Sequence, residues 1–132
     1  MDYDDLIDDG SYVKFSDLVG KVLVSAVNIN NEKIVFTTNI DEVYVMLHEQ
    51  DCCESAYVES IVGDLEDLIN TPIIIAEESS NSPDREDEDD DTCTWTFYKI
   101  DTVKGGVTIR WLGTSNGYYS ESVSFFKLKE TV

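Results

Sequence analysis

The stretch Cys93-Thr94-Trp95-Thr96-Phe97-Tyr98, followed after Gly105-Gly106 by Val107-Thr108-Ile109-Arg110-Trp111, decides the fold. Aromatic and β-branched residues alternate with threonines at a period of two, the signature of strands, and the paired glycines read as a hairpin turn. Cys93, Trp95 and Phe97 share one parity against Thr94, Thr96 and Tyr98, and the core aromatics are expected here. The same pattern extends in both directions. Downstream, Thr114 to Ser120 reads as a connection and Val123 to Leu128 as the last strand. In it Val123 and Phe125 fall on one parity and Phe126 and Leu128 on the other, which implies a bulge or burial on both faces.

Upstream, Lys21 to Ile29 alternates with apolar residues on both faces and reads as a well-covered strand. Asn30-Asn31-Glu32 supplies turn chemistry before Ile34 to Thr38, and Asn39-Ile40-Asp41 turns the chain into Glu42 to Leu47. These three segments form a meander. Ser55 to Ile61 is ambiguous, because Val58, Ile61, Val62, Leu65, Leu68 and Ile69 also match helical spacing. Strand, break at Gly63 and a short helix capped by Asp64 is the preferred reading, with Asn70-Thr71-Pro72 ending the helix. A helical turn at Ser16 to Gly20 and a compact strand at Ile73 to Ala76 complete the set. The expected fold is α+β, a mainly antiparallel sheet of about seven strands with one or two short helices.

At 132 residues with 42% hydrophobic content the chain is long and apolar enough to bury a core of its own. Residues 1–15 read as an acidic N-terminal arm, and 16–132 as a single domain with a flexible acidic loop at 77–92. Residues 1–98 carry 25 acids against 4 bases, a balance of −21, whereas 99–132 carry 3 acids against 5 bases, so the acidity belongs to one part of the fold. Such a field repels nucleic acid and anionic membranes and attracts basic protein surfaces, over a screening length of about 8 Å at physiological salt. No direct nucleic-acid or membrane partner is expected. An acidic start without a basic flank, no long apolar run and three cysteines of which two are adjacent all point to a cytosolic chain with reduced thiols.

Chemistry can be tested by spacing. His48, Cys52, Cys53 and Glu54 offer zinc-ligand types, but adjacent cysteines in an extended segment point to opposite faces and the C-x-x-C spacing is missing. His48, Cys52 and Cys53 are therefore metal candidates only, and a cysteine nucleophile with His48 as its base lacks an orienting third group. Asp87, Asp89 and Asp91 occupy the first positions of a calcium loop, yet Thr92 stands where glycine is required and Tyr98 where a bidentate glutamate belongs. No cofactor is expected. The interaction candidates are Asp84, Glu86, Asp87, Glu88, Asp89, Asp90 and Asp91 of the acidic run, with Tyr118 and Tyr119 after the Asn116-Gly117 turn.

Three stretches taken together, His48-Glu49-Gln50-Asp51-Cys52-Cys53-Glu54, Gly63-Asp64-Leu65-Glu66-Asp67-Leu68 and Thr108-Ile109-Arg110-Trp111-Leu112-Gly113-Thr114-Ser115-Asn116-Gly117-Tyr118-Tyr119-Ser120-Glu121, resemble an uncharacterised domain family of small proteins common in bacteriophage genomes. The resemblance covers Leu18 to Leu128 and carries no established activity. It implies a phage-encoded protein acting in the bacterial host cytoplasm. Joined to the acidity, it leads to a non-enzymatic accessory protein that binds a basic host protein, as an anti-defence inhibitor acting as a DNA mimic. The alternatives are a metal-binding or hydrolytic domain using His48, Cys52 and Cys53, and a minor virion component.

Overall fold

The computed structural model describes residues 10–50, 52–82, 92–116 and 120–128. Among the described residues nine strands run in the order β1 (Gly10–Tyr12), β2 (Leu23–Ile29), β3 (Lys33–Thr38), β4 (Val43–Leu47), β5 (Ser55–Val62), β6 (Ile75–Asn81), β7 (Thr92–Thr102), β8 (Gly105–Ser115) and β9 (Ser124–Leu128). They form a five-stranded sheet ordered β1-β9-β4-β3-β2 and a four-stranded sheet ordered β5-β8-β7-β6. Every strand pairing in both sheets is antiparallel. The helical pieces among the described residues are two single 3-10 turns, Phe15–Leu18 and Leu65–Leu68. The α+β expectation is thus corrected to an all-β architecture of two sheets packed face to face.

Two local causes explain the missing helix. A bulge between Val58 and Ser60 shifts the parity of β5, so that Val58 opposite Trp111 and Ile61 opposite Ile109 both face the core. A bulged strand thereby places apolar residues three apart, which imitates helical spacing. Beyond it the turn does start as read, with the Asp64 side chain accepting the Glu66 N–H at 3.0 Å. It stops after one turn because the neighbouring sheet claims the backbone: Asn70 N–H donates to the Leu23 carbonyl at 2.8 Å, and Ile69 and Pro72 bridge to Leu23 and Val22. Asn70 takes a left-handed conformation at φ 68° to make the exit.

The β2-β3-β4 meander is as the alternation indicates, with Asn30 and Asn31 both at positive φ in the first hairpin turn. β2 is not well covered, however. It is the sheet's edge, and Val24 and Val27 are about half exposed. The principal core lies between the sheets, where Ile34, Phe36, Tyr44, Met46 and Phe125 meet Val58, Tyr98, Ile100, Val107, Ile109 and Trp111. The Trp111 indole N–H donates to the Met46 sulfur at 3.1 Å across that layer. A second cluster, Val35, Val45, Leu47, Phe126 and Leu128, occupies the opposite face of the five-stranded sheet. β9 is therefore buried on both faces, with Phe125 in one cluster and Phe126 in the other.

Three connections differ from the expectation. The β7–β8 turn is Val103-Lys104, while Gly105 and Gly106 pair with Thr102 and Asp101 inside the ladder. The constrained glycine nearby is Gly63, at φ 101°, where a Cβ would lie 2.4 Å from the Gly106 carbonyl oxygen. The strand after Pro72 begins at Ile75 and runs through Glu77 to Asn81, taking the first residues of the expected acidic loop into register with Lys99 to Trp95. Part of the expected N-terminal arm, Gly10–Tyr12, pairs with β9.

Candidate functional site

Asp84, Glu86, Asp87, Glu88, Asp89, Asp90, Asp91, Tyr118 and Tyr119 lie outside the described residues. The endpoints of the acidic run are nevertheless placed. Asn81 pairs with Trp95, and Thr92 begins β7 opposite Ser115, so the described residues on either side of the run lie at the Trp95 end of the four-stranded sheet.

His48 and Glu54 bracket the β4–β5 connection and meet inside it. His48 Nε2 lies 2.9 Å from Glu54 Oε2, and its Nδ1 lies 2.6 Å from the Ser122 carbonyl oxygen. Both side chains are buried. A carbonyl only accepts, so Nδ1 carries hydrogen, and the contact on the other side shares one proton between Nε2 and the carboxylate. The second carboxylate oxygen accepts the Cys52 N–H at 2.8 Å, while Gln50 Nε2 donates to the carbonyls of Glu54 and Cys52 at 2.6 and 3.1 Å. These bonds form a clasp between the β4–β5 loop and the segment that enters β9.

Cys52 and Cys53 are joined by a disulfide and are exposed. The expectation of reduced, diverging thiols is corrected: the chain bends at these two residues instead of running extended, and the sulfurs converge. Cys93 is a free, buried thiol. Among the described residues no three His, Cys, Asp or Glu side chains gather as metal ligands. A metal at His48 would have to displace Ser122 or Glu54.

The last motif closes on itself. The Glu121 carboxylate accepts from the hydroxyls of Thr92, Thr94 and Ser115, and its backbone lies over Gly113, where a Cβ would stand 2.5 Å from the Glu121 carbonyl oxygen. This explains the glycine and the glutamate of the Gly113 to Glu121 stretch as a lock on the ends of β7 and β8.

The largest chemical surprise is the outer face of the four-stranded sheet. Tyr98, Ile100 and Thr96 turn inward, so Trp95 and Phe97 stand outside and only half buried. The core aromatics of this hairpin are Tyr98 and Trp111. Both parities of β7 carry aromatics, and pairing with β8, whose Ile109 and Trp111 are buried, decides which enters. Register places Tyr57, Leu112 and Trp95 in one row across β5, β8 and β7, with Arg110 opposite Phe97 in the next. Arg110 Cζ sits 5.2 Å from the Trp95 ring centroid, and its guanidinium pairs with Glu59 at 2.6 Å. Trp, Tyr and Arg on one flat patch are the residue types that dominate binding energy at protein interfaces. The sequence signal for this patch was the strict alternation of β7 itself, which left the inward parity open.

Two clefts open beside the inner faces, one of about 600 Å³ lined by Tyr12, Lys14, Phe15, Glu78 and Phe125 among others, and one of about 240 Å³ lined by Glu78, Thr94, Thr96 and Glu121 among others. Tyr98 stands beneath this side with its hydroxyl buried and without a hydrogen bond of ordinary geometry. Burial pushes its pKa up, and the Glu78 carboxylate adds to the shift, so the phenol stays protonated.

No helix among the described residues is long and apolar enough to cross a membrane. The family model described as a domain of unknown function (DUF7448) matches residues 16–125, and the chain belongs to that family. No curated protein and no solved structure matches it.

Proposed function

We propose that this DUF7448 member is a non-enzymatic, phage-encoded binding protein that engages a basic protein in the bacterial host cytoplasm through the outer face of its four-stranded sheet. The observation that carries this reading is the Tyr57, Leu112 and Trp95 row with Arg110 stacked beside it, left partly exposed in a chain of net charge −19. The occupant follows from charge complementarity. Glu59 and Glu77 lie on the same sheet, and the run at 83–91, with seven acids and one arginine, follows in sequence soon after Asn81, which pairs with Trp95. A row of aromatics supplies desolvation energy at the centre of an interface, and an acidic surround steers a basic partner toward it. In its narrowest form the partner is a nucleic-acid-binding defence factor whose basic groove the acidic run fills as a DNA mimic.

The test begins with capture from host lysate at low and high salt, with the retained protein identified and then purified. A basic partner released by salt and displaced by duplex DNA is expected. Trp95→Ala should weaken binding by about 2 kcal/mol or more, the hot-spot scale. Neutralising Asp84 and Glu86 to Asp91 should flatten the salt dependence. Capture that survives high salt and is indifferent to both changes would remove the proposal.

A further inference from the structure

We infer that Cys52 and Cys53 are a reversible dithiol–disulfide couple whose oxidation state sets the clasp between the β4–β5 loop and the segment entering β9. Three observations meet here. The two sulfurs are bonded to each other and both residues are exposed, so small thiols and disulfides reach them. The amide of Cys52 donates to Glu54 Oε1 and its carbonyl accepts from Gln50, so the backbone inside the disulfide ring is itself part of the hydrogen-bond network. That network ends on buried groups, Glu54 on His48 and His48 on the Ser122 carbonyl, 74 residues along the chain. The remaining cysteine, Cys93, is buried and takes no part.

Linking neighbouring residues closes a small ring that restrains the Cys52–Cys53 peptide, and opening it returns that peptide to ordinary torsional freedom. Because Glu54 Oε1 accepts from the Cys52 N–H at 2.8 Å, the shorter of its contacts beside Gln50 Nε2 at 3.3 Å, a change in the ring alters the partner set of a buried carboxylate. A buried acceptor that loses a donor destabilises its surroundings. The effect is passed to Ser122 and so to the entry of β9.

The exchange balances with a low-molecular-weight disulfide such as oxidised glutathione. The thiolate of one cysteine attacks a sulfur of the small disulfide, forming a mixed disulfide and expelling one glutathione thiolate. The second cysteine's thiolate then attacks the mixed disulfide at the protein sulfur, closing the Cys52–Cys53 bond and expelling the second glutathione. The two cysteines lose two electrons and two protons, and the small disulfide takes up both as two thiols.

The test equilibrates the full chain in glutathione buffers of graded potential, quenches, alkylates under denaturing conditions and reads the intact mass. Wild type should pass from three alkylated cysteines to one, and Cys93→Ser from two to none, while Cys52→Ser and Cys53→Ser should show no intramolecular transition. Amide hydrogen exchange across residues 48–54 and 120–123 should be at least several-fold faster in the reduced form, with exchange in β7 and β8 unchanged. Three alkylated cysteines at every potential, or disulfides found only between chains, would overturn the couple. Oxidation that leaves exchange at 48–54 and 120–123 unaltered would overturn its coupling to the clasp.

Discussion

On the outer face of the five-stranded sheet Val35, Val45, Leu47, Phe126 and Leu128 are all buried, whereas on the outer face of the four-stranded sheet Tyr57 is 40% exposed and Leu112, Trp95 and Phe97 are half buried. Composition contributes to the difference, since 17 of 26 strand residues in the first sheet are hydrophobic against 16 of 37 in the second. The difference lies in where the free energy of burial is realised. In the first sheet it is realised on folding, at about 25 cal/mol per Å² of apolar surface removed from water. In the second, part of it is withheld and available to a partner. The contrast extends to the ion pairs: Glu42, between Lys21 and Lys127, has a side chain only 8% exposed, while Glu59, paired with Arg110, is 32% exposed.

The strongest way to break this comparison is a pair of truncations measured by urea unfolding. Phe126→Ala should cost about 3–5 kcal/mol, the range for deleting a buried aromatic side chain, whereas Trp95→Ala should cost about 1 kcal/mol or less. Equal losses would show that Trp95 serves the fold and not a partner. Next in size is Gly113→Ala, whose Cβ must push the Glu121 backbone away; a loss of about 1–3 kcal/mol is expected from overpacking. If Gly113→Ala were neutral, the lock formed by Glu121 on Thr92, Thr94 and Ser115 would be dispensable. Removing the cap of the single turn at Leu65–Leu68 by Asp64→Ala should cost about 1 kcal/mol. Thermal melting would detect that as a lower midpoint.

The smallest effect sharpens the comparison of the ion pairs. The Glu42 carboxyl is held below its ordinary range by hydrogen bonds from Lys127 and then Lys21, against the opposing effect of burial. A depressed carboxylate stabilises the fold above its unfolded pKa, and that stabilisation is lost as pH falls through the lower folded value. Lys21 is raised above its ordinary range, chiefly by its hydrogen bond to Glu42, so its share is full below the unfolded value and lost as pH rises through the folded one. Glu42→Gln should therefore flatten the acid limb of a melting-temperature profile and the alkaline limb above about pH 10. Glu59 is also lowered, by Ser60 first and Arg110 next, but it is solvent-exposed, so Glu59→Gln should change the profile less and the change should fade with salt. A larger acid-limb change in Glu59→Gln than in Glu42→Gln would reverse the assignment.

Legibility from the sequence followed the range of the determining interaction. Alternation from Ile34 to Thr38 and from Val43 to Leu47, with two asparagines at the first turn, specified the meander, because strand period and turn chemistry are local. The double parity of β9 indicated a bulge or burial on both faces, of which the second is found, and Asp64 was recognisable as a cap. The bulge at Val58/Ser60 was not legible, since it converts a strand into the spacing of a helix. Nor was the strand at Glu77–Asn81, where polar side chains gave no signal and the ladder to β7 supplied the hydrogen bonds. The clasp was visible only as a cluster of rare residues: His48, Cys52 and Glu54 stood together in the sequence, but Ser122, which completes it, did not.

The sequence by itself determined that this chain is a strand-rich, strongly acidic domain, because alternation and charge are properties of neighbouring residues. Tertiary structure alone decided that the strands divide into two sheets, that Tyr98 enters the core while Trp95 and Phe97 face outward, and that the adjacent cysteines converge. Each of these depends on what lies across a sheet or a loop, and strand pairing selects that partner from a distant part of the chain.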